Sequence, residues 1–279
     1  MAPADGCEIV SGDLSQAGTL AHALDGCRYL VHCAAQYSFG PRDREAIRRT
    51  NVLGTEGLFA VAHLAGVERA VLTSSSATLD GASHVFTTGD LDYHGSKIVQ
   101  ERAAFASRLP TVAVLPTAPV GAGDWKPTPT GAMIVDFMRG KMIARPPKRG
   151  GMNLVDVEQV AQAHVAALER GTIGERYVIG GENFTFDALW DVLAELTGRT
   201  APHVRAPIAL MYAAAWVDGA RCRLTGATPF VPLEGVRMSQ RRMFVDPVPA
   251  AEALGVAVRP VFDALVRAIV WYRDHGYAV

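Results

Sequence analysis

The chain has 279 residues, 49% of them hydrophobic and 20% charged, enough to bury a substantial core in one large or two small domains. A formal net charge of -1 and a pI of about 6.7 give no overall field toward nucleic acid or an anionic membrane, which leaves a small-molecule substrate as the default partner. The N-terminus MAPADGCEIV has neither a basic start nor an apolar run before a cleavage site, so the sequence reads as cytoplasmic and without a secretory signal.

In chain order, short runs rich in Val, Leu, Ile and Tyr predict buried parallel strands at 7–10, 28–32, 69–74, 111–115 and 176–179. Apolar residues at helical spacing predict helices at 50–65 and 93–108, so strand and helix alternate as in an open, doubly wound α/β sheet. After Gly121 the loops DWKPTPTG and ARPPKRGG bracket a short helix predicted at 132–139. Further helices are expected at 186–196, 208–224 and 260–275. The pattern divides the chain into a sheet core over 1–122, rejoined by 150–180, and a smaller, mainly helical substrate lobe over 123–149 and 181–279. The apolar run 206–217 is too short for a bilayer span, contains Pro207 and reads as a buried helix. Cys7, Cys27, Cys33 and Cys222 show no metal-ligand spacing and read as reduced, mostly buried thiols.

The segment Tyr93-His94-Gly95-Ser96-Lys97 carries a Tyr and a Lys four apart, on one face of a helix. An ammonium beside a phenol favours the phenolate and makes it a general acid or base for a hydroxyl or carbonyl. Taken alone, the same pair also describes a half-buried ring beside a solvated amine. The strand at 69–74 runs into Thr73, Ser74, Ser75 and Ser76, which places hydroxyls at the C-terminal edge of a parallel strand. A Ser there can hydrogen-bond the same substrate oxygen that Tyr93 protonates, although two of these hydroxyls also suit a strand-end turn.

The strings GDLS, LVHCAA, TNVLGT, GVERAVLTSSSATL and YHGSK, in this order, resemble the extended short-chain dehydrogenase/reductase family. PTAPVGAGDWKPTPTG, NLVDVEQVAQAHVAALERG, GERYVIGGENFT and PLEGVRM are most similar to its dihydroflavonol-reductase-like branch, which includes hopanoid-associated sugar epimerases. The resemblance implies a Rossmann-like core with Ser76 as the catalytic hydroxyl, Ser75 as the alternative, and Tyr93 with Lys97 as the acid–base pair. It places Asp13 and Leu14 at the adenine of a dinucleotide; a turn or helix cap is the other reading of Asp13. The same resemblance puts Cys33, Ala34 and Ala35 in the loop passing the cofactor, Asn51 in support of the lysine, and Pro116 to Pro119 beside the nicotinamide. It also implies a homodimer formed through the helices at 50–65 and 93–108, with Val61, Leu64, Ile98, Ala104 and Phe105 on their outer faces. For the substrate, Trp125, Phe137, Met211, Trp216 and Arg237 suggest a mixed apolar pocket, and each also reads as core.

The chain contains no GxxGxxG, so relative to that family the Rossmann-like core reads as truncated, without the turn and helix N-terminus that hold the pyrophosphate. The stretch between Ser76 and Tyr93 is short and brings His84 and Asp92 into consideration. Three functions are open at this point. One is a non-redox Ser/Tyr/Lys enzyme (elimination, addition, cyclisation or isomerisation) with NAD(P) absent or weakly bound. Another is an NAD(P)-dependent reductase or epimerase whose cofactor segment lies outside the chain. The third is a non-catalytic binding or assembly protein. No metal, nucleic-acid or membrane partner is expected.

Overall fold

The structure, a computed structural model, describes residues 6–36, 44–79, 93–226 and 233–278. Its contacts form two compact units, the first drawn from 6–36, 44–79, 93–114 and 167–176, the second from the remaining described residues. The division falls at residues 114 and 115 rather than near 122, and the segment rejoining the first unit is 167–176 rather than 150–180.

In the first unit β1 (Tyr29–His32), β2 (Arg69–Thr73) and the part of β3 (Thr111–Pro116) up to Val114 are parallel. Tyr29 lies beside Arg69, and Ala70 beside Thr111. Ala70, Val71, Leu72, Val112, Ala113 and Val114 are fully buried, as expected of strands covered on both faces. The chain between β1 and β2 forms α1 (Arg44–Ile47), a π turn at Arg48–Leu53 and α2 (Gly54–Leu64). Leu58, Phe59 and Ala62 of α2 pack with Leu72, Ala104 and Leu109. After β2 comes α3 (Tyr93–Ala106), whose Ala104 is fully buried.

The strand predicted at 7–10 does not form. This stretch is irregular, with Ile9 73% exposed, and β1 is the terminal strand of its sheet. A strand needs a neighbour's ladder to satisfy its backbone, and among the described residues nothing pairs with the outer edge of β1. Ile98 and Ala104, expected on outer faces, are 8% and 0% exposed and pack inward, whereas Leu64 is 85% exposed. Of the four cysteines only Cys222 is buried; Cys7 and Cys33 are exposed and Cys27 half-buried.

In the second unit β4 (Ala118–Val120) pairs in parallel with β5 (Gly151–Asp156), and between them runs α4 (Pro129–Met138). This helix starts three residues before its predicted position because Thr128 Oγ1 accepts the Gly131 N–H at 3.2 Å, with Pro129 opening the first turn. There follow α5 (Val157–Arg170), β6 (Arg176–Ile179), and β7 (Glu182–Thr185), which is antiparallel to β5. Beyond these are α6 (Phe186–Thr197), α7 (Ile208–Thr225), α8 (Leu233–Met238), β8 (Arg242–Met243), α9 (Val248–Leu254) and α10 (Val261–Asp274). The core of this unit is built from α4, α6 and α10, with Phe137 stacked on Trp190 at 5.7 Å between ring centroids.

Contrary to expectation, α7 is not a buried helix: Ala215 and Cys222 alone among its residues are buried. No described helix is long and apolar enough to cross a membrane.

Trp190 is 2% exposed and supports both Phe137 and the α6–α10 packing. Trp190→Ala should therefore cost about 3–5 kcal/mol, read from the shift in a urea unfolding curve.

Candidate active site

Parallel strands deliver loop residues at their C-terminal ends, and the end of β2 shows three serines with three different roles. Ser74 is buried, its Oγ donating to Glu101 Oε2 at 2.5 Å. Ser75 Oγ accepts the Ala77 N–H at 3.2 Å and caps the short helical turn Ser76–Thr78. Ser76 is half-buried, and its Oγ makes no hydrogen bond among the described residues. Of the three serines, Ser76 is thus the one whose hydroxyl is not engaged among the described residues.

Helix α3 begins at Tyr93, one turn before Lys97; the Tyr93 ring, like His84 and Asp92, lies outside the described residues. Lys97 is 3% exposed. Its Nζ donates to the Thr73 carbonyl at 2.8 Å and to Gln100 Oε1 at 2.6 Å. Burial lowers its pKa to about 8, with Cys33 and Glu101 pulling in the opposite direction. Gln100 is fully buried, and its amide N–H donates to Thr55 Oγ1 at 2.9 Å, which in turn donates to the Asn51 carbonyl at 2.9 Å. His32 Nε2 joins the same group, 2.8 Å from Thr55 Oγ1 and 3.3 Å from Gln100 Nε2. Burial, reinforced by the Lys97 charge, lowers the His32 pKa to about 4 and keeps the ring neutral at neutral pH.

One position beyond Gln100, Glu101 is 8% exposed; it meets Arg176 Nε at 2.7 Å, and Arg176 also donates to Thr78 Oγ1 at 2.8 Å. The carboxylate beside the lysine is therefore engaged by Ser74 and Arg176 rather than by Lys97. None of His32, Thr55, Gln100, Glu101 or Arg176 stands out in the sequence. A signal was available for two: Gln100 and Glu101 continue the Lys97 face of α3 at i+3 and i+4.

Asn51, in the π turn, is fully buried and does not bond Lys97 directly. Its Oδ1 accepts the Gln36 N–H at 2.6 Å, while its Nδ2 donates to the Gln36 carbonyl at 3.0 Å and to Ser96 Oγ at 3.1 Å. One side chain thus fastens the loop after β1 to the helix of the Tyr–Lys pair. In that loop Cys33, Ala34 and Ala35 are exposed, with Cys33 Sγ accepting from Thr73 Oγ1 at 3.2 Å. Asp13 forms a turn: it accepts the Ser15 N–H at 2.8 Å, the bond that chiefly lowers its pKa, and it is exposed. Leu14 rests against the start of α2, where a Cβ on Gly54 would come to 3.0 Å from Leu14 Cβ and 3.2 Å from its carbonyl.

Pro116 and the five candidate substrate residues belong to the second unit, where Met211 and Trp216 lie on α7, half-buried and exposed respectively. Pro116 ends β3, and Pro119 lines a cavity of about 210 Å³ with Gly121, Asp124, Thr128 and Tyr272. Phe137 is a core residue, 3% exposed, and only borders a shallow hollow of about 360 Å³ with Met142, Arg199 and Thr200. Trp125, 51% exposed, packs edge-on against Trp271 and His275, and Arg237 is exposed on α8. Trp125, Phe137 and Arg237 thus stand in different settings: a surface aromatic group, the core, and an exposed position on α8.

Comparison with known proteins places this geometry in context. Residues 2–180 match the model of the NAD dependent epimerase/dehydratase family. A dihydroflavonol 4-reductase-like protein of Synechocystis is 37% identical over 286 residues, covering 96% of this chain and 82% of that protein. Sterol demethylase protein B of Methylococcus capsulatus is 31% identical over 283 residues, covering 96% of this chain and 86% of that one. The solved structure of gox2253 is 39% identical with a TM-score of 0.77, covering 96% of this chain and 85% of its own.

The neutral His32 has a consequence for stability. An unfolded imidazole titrates near 6.5, so between about 4 and 6.5 the unfolded chain binds the extra proton, and stability falls as pH drops through that window. His32→Asn should flatten this part of the stability curve, measured by chemical denaturation at successive pH values.

Proposed function

Because the chain belongs to the NAD dependent epimerase/dehydratase family, we propose that it is an enzyme that moves a proton at the oxygen of an alcohol or carbonyl in a small oxygenated molecule. Tyr93 transfers the proton, Lys97 holds the phenol's pKa down, and Ser76 orients the substrate oxygen. The observation that carries this reading is Lys97: an ammonium one helical turn after Tyr93, 3% exposed, whose hydrogen-bond acceptors among the described residues are both neutral. A lysine kept only for structure would gain more from a carboxylate or from solvent. Similarity to a dihydroflavonol 4-reductase-like protein supports an alcohol or ketone as the reacting group.

The family implies a nicotinamide dinucleotide, which when bound gives or takes a hydride. The residues present fit one part of it. Lys97 has a third N–H beyond its two acceptors for a ribose hydroxyl, the loop 33–35 is exposed beside Thr73, and the exposed Asp13 carboxylate suits an adenine amine. They do not fit its pyrophosphate, since the sequence holds no glycine-rich turn at a helix N-terminus to supply N–H donors. A non-redox step run by Tyr93, Lys97 and Ser76 is the second reading.

Tyr93→Phe keeps the ring and should lower turnover by about a hundredfold or more with the fold intact. Lys97→Met should act in the same direction and move the pH optimum upward, because the charge that favours the phenolate is gone. Full activity in Tyr93→Phe would overturn the assignment. Calorimetry with NADH and NADPH should show weak binding by this chain. A tight single site would establish that the loop and lysine suffice for a hydride carrier, and no binding at all would leave the non-redox reading.

A further inference from the structure

Thr55, in the first turn of α2, is fully buried and belongs to the group around Lys97 without bonding the ammonium itself. A hydroxyl has one proton and two lone pairs. The proton of Thr55 goes to the Asn51 carbonyl at 2.9 Å, one turn back along the helix. Both lone pairs are then left for donors, and two nitrogens approach: Gln100 Nε2 at 2.9 Å and His32 Nε2 at 2.8 Å. With the threonine proton committed, His32 carries its hydrogen at Nε2 and donates. The other side of the Gln100 amide faces Lys97, whose Nζ has donors only and therefore requires Oε1, which it meets at 2.6 Å. A fully buried amide can turn its oxygen that way only if its N–H side finds an acceptor behind it. Thr55 Oγ1 is that acceptor.

We propose that Thr55 is a positioning residue for Lys97: acting through Gln100, it keeps the amide oxygen toward the ammonium and so holds the amine between two neutral acceptors at the end of β2. The third N–H of the amine is left for a reacting partner. This deepens the reading of Lys97 as the partner of Tyr93 and rests on it, yet its test needs no substrate. The titratable groups that face the ammonium are His32 at the end of β1, Cys33 in the following loop and Glu101 on α3 itself, with Arg176 beyond Glu101. From β2 comes the Thr73 carbonyl, and from α2 the Thr55 hydroxyl behind Gln100. Substitutions at Thr55 and Gln100 leave all of the titratable groups in place, so the titration of Lys97 then reports its acceptors.

The chain has four lysines, Lys97, Lys126, Lys141 and Lys148, so the amines of lysine-labelled protein can be followed one by one by NMR, and Lys97→Met assigns the signal. The Lys97 midpoint should lie near 8 in the parent protein. Thr55→Val keeps the shape, removes the oxygen and should lower that midpoint by roughly one unit, because an acceptor that favours the ammonium is no longer held in place. Thr55→Ser keeps the oxygen and should restore the parent value. Gln100→Leu should act as Thr55→Val does, and Gln100→Glu should raise the midpoint, because a carboxylate then faces the ammonium. In the Gln100→Leu background Thr55→Val should add nothing. The proposal is overturned if Thr55→Val leaves the midpoint unchanged, if Thr55→Ser moves it as far as Thr55→Val, or if Thr55→Val shifts it equally with and without Gln100. Should melting curves show that Thr55→Val does not fold, Thr55→Cys, whose sulfur is a weak acceptor, takes its place. An unmoved midpoint there overturns the proposal in the same way. Failure of the acid–base reading is seen separately, as full turnover in Tyr93→Phe, and would leave these midpoints as they are.

Discussion

A lysine ammonium withdrawn from water must be given acceptors, and much of the first unit follows from how Lys97 receives them. One acceptor is the carbonyl of Thr73, available only because β2 ends there and α3 lies close against it. The other is Gln100, whose amide is useful only if its N–H side is also satisfied, which draws in Thr55 and through it the backbone of Asn51. His32 at the end of β1 completes the group. Its acceptors among the described residues are uncharged, and that sets the basicity of the lysine. A carboxylate in place of Gln100 would hold the lysine fully protonated; neutral acceptors leave burial as the dominant influence and bring its pKa to about 8. The carboxylate that does lie on the same helix face, Glu101, is engaged by Arg176 and Ser74.

The parts of this arrangement that lie along one strand or one helix were legible in the sequence. The Ser run at the end of β2 and the Tyr–Lys pair in α3 are local patterns, and the elements carrying them form where apolar spacing puts them. What was not legible depends on residues far apart in the chain. Gln36 and Asn51 are 15 positions apart, His32 and Gln100 are 68 apart, and Thr78 and Arg176 are 98 apart. Nothing in their local sequence announces the partner. The strand expected at 7–10 failed for a related reason: apolar composition describes a side chain's preference for burial, whereas a strand exists only if another strand pairs with it. In α7 apolar composition predicted burial and the fold exposed it instead.

The second unit shows how a loop rich in Pro and Gly becomes a fixed part of the structure. Asp124 accepts both the N–H and the hydroxyl of Thr128, and the Tyr272 hydroxyl donates to Asp124 Oδ2 at 2.7 Å. Burial, with this bond, raises the Tyr272 pKa and keeps the phenol protonated as a donor. Tyr277 donates to the Trp125 carbonyl from the same end of the chain. Earlier in α10, Arg267 meets Asp156 at 2.7 Å, and Arg259, just before the helix, meets the same carboxylate at 3.0 Å, tying the end of β5 to the C-terminal segment. Residues more than a hundred positions downstream thus hold the wall of the cavity at Pro119.

The π turn at Arg48–Leu53 bears on what length changes this chain can tolerate. A π turn is a regular helix carrying one surplus residue, and here the Gly54 N–H reaches back five positions to the Arg49 carbonyl. Removing any one residue of the turn would let the hydrogen bonds fall into the ordinary register, and the helix itself would be the better for it. Everything before the deletion would then rotate by about 100° relative to everything after it. Either Asn51 leaves Gln36 and Ser96, or the face of α2 bearing Phe59 leaves the core. The extra residue therefore acts as a phase shifter between two faces of one helix, so a deletion of one residue here should harm the enzyme more than many substitutions within the turn.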